Sequence, residues 1–191
     1  MVSPNWDEFV FLTIANDGYV ELTLNLIQNF QQEHLKSYRL TVACLDHRAF
    51  EKISVNRSPN VQPWLFETSV PTGFCWFGEA GFARVTQTKY KAILALLRSA
   101  ATVWYVDSDI VFLQDPLPYS NLEADIVLTS DARDPKHLYS TQLCTGSMLL
   151  HAGARTRSFL DCLVSRSGNR PEWNDQKLLN DLVFAETSDC P

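Results

Sequence analysis

The chain has 191 residues, of which 46% are hydrophobic and 12% aromatic, so residues 1–191 can bury the core of a single domain. Its 16 lysines and arginines face 22 aspartates and glutamates. The resulting net charge of -6 argues against nucleic acid or an anionic membrane as the main partner. No apolar stretch is long enough to span a bilayer, and the first residues do not resemble a signal peptide. As it stands, the chain is expected in the cytoplasm.

Apolar runs that end at turn signals predict the strands of the chain. The first covers residues 9–15, the second covers residues 40–45, and a third ends near Asp107. Two later strands are predicted at residues 125–130 and 147–150.

Apolar side chains at helical spacing predict helices between these strands. One helix follows the first strand, one leads into the strand before Asp107, and two lie near the carboxyl terminus. Their apolar positions are Leu22, Leu26, Phe30, Val85, Ile93, Leu96, Leu97, Phe159, Leu160, Leu163, Val164, Leu178, Leu179, Leu182 and Val183. Residues 56–82, rich in proline and glycine, are predicted to form a long loop.

The alternation of strands and helices predicts an α/β fold with a mostly parallel sheet and helices on both faces. Such sheets bind ligands beyond the carboxyl ends of their strands. Asn16, Asp46 and Asp107 each follow a predicted strand, so we expect them to gather at that edge.

The cysteines form an odd set without C-x-x-C spacing. Buried or free thiols are therefore expected rather than a zinc site or a disulfide framework, with a slight preference for a reducing compartment. The five positions are Cys44, Cys75, Cys144, Cys162 and Cys190.

The most informative segment is residues 103–113, an apolar run interrupted by Asp107 and Asp109. Two acids inside a buried strand would repel each other and lose hydration, a cost that a divalent cation bound to a phosphate would offset. Both carboxylates could then face one ion, because residues two apart in a strand share a side. The alternative is that the strand ends at Val106 and that Asp-Ser-Asp forms an ordinary polar turn.

This segment resembles a known family. Asp107-Ser108-Asp109, followed by Ile-Val-Phe-Leu-Gln-Asp-Pro-Leu-Pro, is similar to the D-x-D stretch of nucleotide-diphospho-sugar transferases. These are glycosyltransferases of the GT-A fold, and glycosyltransferase family 77 is the best match. Other stretches resemble the family in the same order along the chain, namely residues 13–19, 42–50, 144–148 and 174–180. The resemblance implies a GT-A-like, Rossmann-like fold over nearly the whole chain.

The resemblance also implies a donor site. Asp107 and Asp109 would hold Mn²⁺ or Mg²⁺ against the diphosphate of a nucleotide sugar, with UDP preferred. Thr13, Ala15, Asn16 and Tyr19 would form the nucleotide loop, with Tyr19 stacked on the base. Lys89 would reach the diphosphate or donor sugar, with Arg84 a weaker candidate, and Ser108 completes the donor-binding set. Tyr19 could instead pack on the following helix, and Lys89 could be a solvated helix lysine.

The sugar side of the site follows from the same resemblance. Asp131 would face the donor hydroxyls, unless it caps a helix or forms a turn. Thr145 and Gly146 would contact the sugar or the acceptor, although a tight turn would also explain the glycine. Asp175 and Gln176 would lie beside the reacting carbon. The family retains anomeric configuration, so Asp175 would act as a nucleophile or stabilise an oxocarbenium ion.

The implied activity is that of a hexosyl- or pentosyltransferase, with a nucleotide-diphosphate sugar as donor and a glycan or glycoprotein as acceptor. Relatives usually carry a later histidine as a metal ligand, whereas this chain has none after His151 and ends at Pro191. The chain is therefore expected to be a fragment, a compact variant or one module of a larger protein. An anchor in such a parent protein would place this domain in the Golgi lumen.

Two other functions fit parts of the sequence. Asp107-Ser108-Asp109-Ile110-Val111 also matches the D-x-D-x-[TV] nucleophile motif of haloacid-dehalogenase-like phosphatases, with Asp107 as the nucleophile. That motif normally lies on the first strand, unlike here. A non-catalytic module that binds sugar nucleotides or glycans is the other alternative. Turnover distinguishes this module from an enzyme, and aryl phosphate hydrolysis identifies a phosphatase.

Overall fold

A six-stranded sheet forms the centre of the computed structural model, which describes residues 9–120, 122–131 and 142–184. The strands lie in the order β3-β2-β1-β4-β6-β5. Their bounds are β1 Phe9–Ala15, β2 Leu40–Cys44, β3 Val61–Leu65, β4 Thr102–Val106, β5 Ile126–Ser130 and β6 Leu143–His151.

Five of the six strands run in one direction. The pairs β3-β2, β2-β1 and β1-β4 are parallel, whereas β6 is antiparallel to both β4 and β5. The carboxyl ends of β1, β2 and β4 therefore lie at the same edge, as expected for a mostly parallel sheet.

In the described part of the chain, five α-helices cover the sheet, namely α1 Val20–Asn29, α2 His47–Val55, α3 Ala80–Leu96, α4 Ala154–Asn169 and α5 Asp175–Phe184. Alternate residues of β1 enter different apolar clusters, as the pleat of a strand requires. Val10 and Leu12 join buried residues of α3, α4 and α5, whereas Phe11 and Ala15 join those of α1 and α2. The predicted α/β fold with helices on both faces is confirmed.

The second cluster is rich in aromatic rings. Phe11 is fully buried and stacks on Trp104 of β4 with 5.2 Å between ring centroids, and Phe30 and Phe112 meet it edge-on. These contacts fix β4 against its neighbour β1 just before the chain reaches Asp107. Among the described residues, no helix combines the length and apolar character needed to cross a membrane.

The prediction of an uninterrupted loop over residues 56–82 is wrong. Strand β3 lies within it, and α3 already begins at Ala80. A strand can contain Pro63 because β3 is an edge strand, which among the described strands pairs only with β2. The prolines and glycines of this stretch therefore obscured a short strand that the burial of Val61 and Pro63 supports.

Smaller corrections concern element bounds. Of the three apolar positions predicted on the buried face of the first helix, Leu26 and Phe30 are fully buried, whereas Leu22 is 37% exposed. The last strand begins at Leu143 rather than at residue 147. Strand β4 ends at Val106, so the two acids follow the strand in a turn.

The cysteines differ from one another. Cys44, Cys75 and Cys144 are free thiols, but Cys162 is disulfide-bonded, and Cys190 lies outside the described residues. The expectation of thiols alone is wrong at Cys162. A disulfide also counts against the slight preference for a reducing compartment.

Candidate active site

The two acids of the D-x-D sequence lie in a turn at the carboxyl edge of the sheet. We call residues 107–109 the acidic turn. Its start is fixed by the Asp107 amide, which donates to the Gly146 carbonyl of β6 at 2.8 Å, and by the Ile110 amide, which donates to the Asp107 carbonyl at 3.2 Å. The Asp107 side chain is 37% exposed, and Asp109 is exposed. The turn therefore presents one partly sheltered and one open carboxylate.

Lys89 connects the acidic turn to α5. Its Nζ donates to Asp107 Oδ1 at 2.9 Å and to Asp175 Oδ2 at 2.6 Å, and it lies 3.3 Å from the Thr145 carbonyl. The side chain is 1% exposed, although it comes from the middle of α3. One buried ammonium thus joins two carboxylates that lie 68 residues apart in sequence.

Asp175 is buried and ionised. Burial alone would raise the pKa of this carboxyl, but the Lys89 charge and hydrogen bonds from Lys89, Thr145 and Thr86 outweigh burial and lower it. Burial opposes the charge on Lys89 in the same way, yet the charges of Asp107 and Asp175 raise its pKa. The pair is therefore a true ion pair in a water-poor setting.

Two tyrosines complete the surroundings of these charges. The Tyr105 hydroxyl donates to Asp107 Oδ1 at 2.7 Å, and the Tyr90 hydroxyl donates to the Asp175 carbonyl at 2.7 Å. Burial, reinforced by the neighbouring carboxylates, raises the pKa of both phenols well above the usual value. Both hydroxyls therefore remain protonated donors.

Asp107 has one carboxylate oxygen left for another ligand. Lys89 and Tyr105 both donate to Oδ1, and no described residue donates to Oδ2. Oδ2 would lie 3.1 Å from a Cβ at position 146, so Gly146 leaves space beside it. No group of three or more His, Cys, Asp and Glu side chains in the described ranges could hold a metal by itself. Asp107 and Asp109 fit a cation that takes its remaining ligands from a bound substrate or water.

The loop after β1 is held by residues 71–75. Asn16 Nδ2 donates to the carbonyls of Pro71 at 2.6 Å and Gly73 at 3.0 Å, and the Tyr19 hydroxyl donates to the Cys75 carbonyl at 2.6 Å. Gly18 has to be a glycine here, because a Cβ would lie 2.0 Å from the Phe74 amide nitrogen. The amide of Asn16 is fully buried, and its Oδ1 has no hydrogen-bond partner among the residues that the structure describes.

Two adjoining cavities open around the acidic turn. The narrow cavity, about 120 Å³, is lined by Ile14, Ala15, Asn16, Tyr19, Leu22, Phe82, Val85, Thr86, Tyr105, Asp107, Ser108 and Asp109. The wide cavity, about 690 Å³, is lined by Phe77, Phe82, Thr86, Asp107, Asp131, Gln142, Cys144, Thr145, Asn174, Asp175, Gln176, Lys177, Asn180 and Asp181. Asp107, Phe82 and Thr86 line both cavities, and Asp107 is the charged residue among the three.

Most residues named from the sequence therefore meet at one place. Within the wide cavity, Gln176 Nε2 donates to Asp131 Oδ2 at 3.1 Å. Four do not reach either cavity wall. Thr13 is buried in β1, Arg84 is exposed and donates to the Ser69 carbonyl, and Asp46 caps α2 by accepting from the Ala49 amide. Gly146 lies in β6 beside Asp107 Oδ2 and lines neither cavity. Lys89 also lines neither cavity, because it lies beneath the acids.

Sequence reasoning missed several residues of the site, among them Phe77, Phe82, Thr86 and Tyr105. One of them had a signal. Tyr105 lies two residues before Asp107, and residues two apart along an extended chain share a side, so its side chain could be expected beside the Asp107 carboxylate. No such signal marked Phe77, in the loop before α3, or Phe82, near the start of α3, beyond their apolar character.

A mostly parallel sheet with an acidic turn and two adjoining cavities at its carboxyl edge is the architecture expected of an α/β protein with the GT-A-like fold. Residues 36–189 match the family model for nucleotide-diphospho-sugar transferases. The chain belongs to that family.

Comparison with individual proteins agrees with this assignment. A UDP-galactose:fucoside alpha-3-galactosyltransferase from Dictyostelium discoideum is 24% identical over 175 residues, which cover 77% of this chain and 27% of that protein. The chain thus spans about a quarter of the length of this relative.

Solved structures share the fold. The galactosyltransferase LgtC, in complex with donor and acceptor sugar analogues, matches with a TM-score of 0.60 at 16% identity over 93% of this chain and 70% of that chain. Core-mannan synthase A from Aspergillus fumigatus, in a Mn/GDP form, matches with a TM-score of 0.57 at 9% identity over 91% and 68%.

The Asp175 ion pair predicts a specific pH dependence of stability. At neutral pH, Asp175→Asn should lower the free energy of unfolding by about 3 kcal/mol, because it breaks a buried pair. The pKa of Asp175 is lowered on folding, so its contribution is complete above the unfolded pKa of about 3.9 and is lost as the pH falls through the folded value. Urea unfolding of both proteins across this range measures the difference, which should shrink only below about pH 4.

Asp161→Asn is the matched control, because Asp161 is exposed on α4. Its unfolding free energy should stay within about 0.5 kcal/mol of the wild type at every pH. A cost for Asp175→Asn that did not change with acidification would contradict the ion pair.

Proposed function

We propose that this domain transfers a sugar from a nucleotide-diphosphate donor, preferably a UDP-sugar, to a glycan or protein acceptor, with Mn²⁺ or Mg²⁺ bound to Asp107 and Asp109. The observation that carries the proposal is that Asp107 is the charged residue that lines both the narrow and the wide cavity. A nucleotide sugar has its diphosphate between base and sugar. A cation held at the acidic turn would therefore lie beside that diphosphate when the two ends occupy the two cavities.

The metal part of the proposal rests on the free oxygens of the acidic turn. Asp107 Oδ2 and the exposed Asp109 carboxylate supply two hard oxygen ligands, which suits Mg²⁺ or Mn²⁺ shared with phosphates. When bound, such a cation takes up the negative charge that grows on a departing diphosphate. Support also comes from core-mannan synthase A, whose solved structure is a Mn/GDP form.

The base preference rests on Asn16. Both protons of its Nδ2 are used by backbone carbonyls, and its Oδ1, in the wall of the narrow cavity, has no hydrogen-bond partner among the described residues, so it can accept a hydrogen bond from a bound base. Uracil presents such a donor in its N3–H group. Tyr19 flanks the same narrow cavity, and its ring already packs on Phe74 at 4.8 Å, so any stacking on the base would use another part of its surface. The Dictyostelium relative is named as an enzyme that uses UDP-galactose.

A nucleotide panel tests the donor site. UDP with Mn²⁺ should raise the melting temperature more than UDP with EDTA, because the cation links the diphosphate to Asp107 and Asp109. CDP should give a smaller shift than UDP, because the cytosine ring nitrogen N3 accepts a hydrogen bond where uracil donates one. GDP, ADP and TDP complete the panel, measured by thermal shift with Mn²⁺, Mg²⁺ or EDTA. A complete absence of shifts would overturn the donor site.

The reaction itself is proposed to use the residues of the wide cavity. Asp131 and Gln176, which contact each other, would bind donor hydroxyls, and Thr145 would contact the sugar or the acceptor. Gly146 lines neither cavity, but it lies beside Asp107 Oδ2 and would leave room there for the same ligand. Asp175 would stabilise the positive charge that develops at the reacting carbon. A charge-stabilising role suits it better than a nucleophilic one, because Lys89 and Thr145 occupy Oδ2 and its pKa is lowered.

Removal of the second acid tests the enzymatic proposal. Asp109→Ala should lower the rate of UDP release from UDP-galactose, UDP-xylose or UDP-arabinose by roughly a hundredfold, because it removes a metal ligand. The exposed side chain contributes little to folding, so the unfolding free energy should change by less than about 0.5 kcal/mol. Asp161→Ala serves as the control with wild-type turnover, and near-wild-type turnover of Asp109→Ala would sink the assignment.

Retention of configuration is a further part of the proposal. The Dictyostelium relative is named for forming an alpha linkage from UDP-galactose, a donor whose own linkage is alpha, so its reaction retains configuration. We expect the same here. The anomeric proton coupling in the NMR spectrum of the product from UDP-galactose and a simple fucoside measures it, and a beta-linked product would contradict retention.

A non-catalytic sugar-nucleotide or glycan-binding module is the alternative that the turnover assay addresses. It would reproduce the nucleotide shifts without releasing UDP. Membership of the transferase family leaves the phosphatase interpretation without support, and the position of the acidic turn after β4 rather than after the first strand agrees with that.

A further inference from the structure

We propose that Lys89 is a positioning residue that acts through the carboxylates of Asp107 and Asp175, and that it does not contact the donor diphosphate. The proposal rests on the proposed function, because it assigns the metal to the acidic turn. It departs from the role that the family resemblance gives this lysine.

The first reason is that Lys89 has no proton left to offer. An ammonium group carries three donors, and three acceptors surround this one: Asp107 Oδ1 at 2.9 Å, Asp175 Oδ2 at 2.6 Å and the Thr145 carbonyl at 3.3 Å. The Tyr105 ring lies 4.6 Å from Nζ on another side. A phosphate oxygen would have to displace one of these partners.

The second reason is access. The Lys89 side chain is 1% exposed and lines neither cavity around the acidic turn. Asp107, which lines both cavities, lies between Lys89 and any ligand held there. A diphosphate at the acidic turn would therefore meet Asp107 before it met Lys89.

The third reason is what Lys89 does to Asp107. Together with the Tyr105 hydroxyl it fixes Oδ1, which determines the side on which Oδ2 emerges, next to Gly146. Without the ammonium, the carboxylate would lose its strongest anchor and could turn both oxygens elsewhere. Lys89 thus selects the oxygen that is presented to a cation.

Nucleotide binding with and without metal separates this role from direct contact. Uridine and UDP are titrated into wild type and Lys89→Met in EDTA and in Mn²⁺, with binding followed by protein NMR so that millimolar affinities are included. The positioning role predicts unchanged affinity for uridine and for UDP in EDTA. It predicts that the gain in UDP affinity on adding Mn²⁺ falls by about tenfold or more, since the ligand carboxylate is no longer fixed. Lys91→Met, a matched exposed lysine two residues along α3, should behave as wild type.

The contrary result is specific. If Lys89 touched the diphosphate, Lys89→Met would weaken UDP binding in EDTA while leaving uridine unchanged, and that outcome overturns the proposal. If the wild type bound no UDP in either condition, the donor site itself would fail instead.

Should Lys89→Met not fold, Tyr105→Phe removes the other donor to Oδ1 and should reduce the Mn²⁺-dependent gain by about threefold, with binding in EDTA intact. A Tyr105→Phe protein with the full gain would also count against fixation of Oδ1.

Discussion

The ammonium of Lys89, enclosed by the carboxylates of Asp107 and Asp175, is the interaction on which the site depends. It connects four elements, because Lys89 lies on α3, Asp107 follows β4, Asp175 begins α5 and the Thr145 carbonyl belongs to β6. Neither of the two buried charges, Lys89 or Asp175, would be stable in this setting alone. Together they satisfy one another, so the position of each acid is set by the same cation.

The parallel arrangement of the sheet explains why this cluster lies where a ligand can reach it. Strands β1, β2 and β4 end at one edge, and the turns that follow them carry Asn16, Asp46 and Asp107. Each of these turns is tied to a neighbour. Asp46 Oδ2 accepts from the Asp17 amide at 2.9 Å, and the loop of Asn16 is held by residues 71–73. The edge is thus a network of fixed loops rather than a row of free strand ends.

Much of the fold was predictable from local pattern, because apolar runs and helical spacing depend on burial that repeats along the chain. Strand β1 was predicted with its observed bounds, whereas β3 was hidden because Pro63 is tolerated only at an edge that the sequence does not reveal. The acids of the site were visible as residue types at an unusual spacing. The partners of Lys89 were not, since a helix lysine gives no sign of a buried environment until the long-range contacts of α3 and α5 are known. The role of Lys89 had therefore been inferred from resemblance rather than from contacts.

Charge connects the metal proposal to the positioning role of Lys89. Asp107, Asp109 and Asp175 supply three carboxylates against one ammonium, so the site carries two excess negative charges, which one divalent cation would balance. If the lysine ammonium were exposed at the acidic turn instead of buried, it would itself offset this negative charge and weaken the attraction for a divalent cation. Because Lys89 is committed to Asp107 and Asp175, it neutralises the interior while the open side of the acidic turn stays negative. A diphosphate, itself an anion, is then held at this turn more tightly together with a cation than alone, because the buried lysine leaves the negative charge on the open side of the turn.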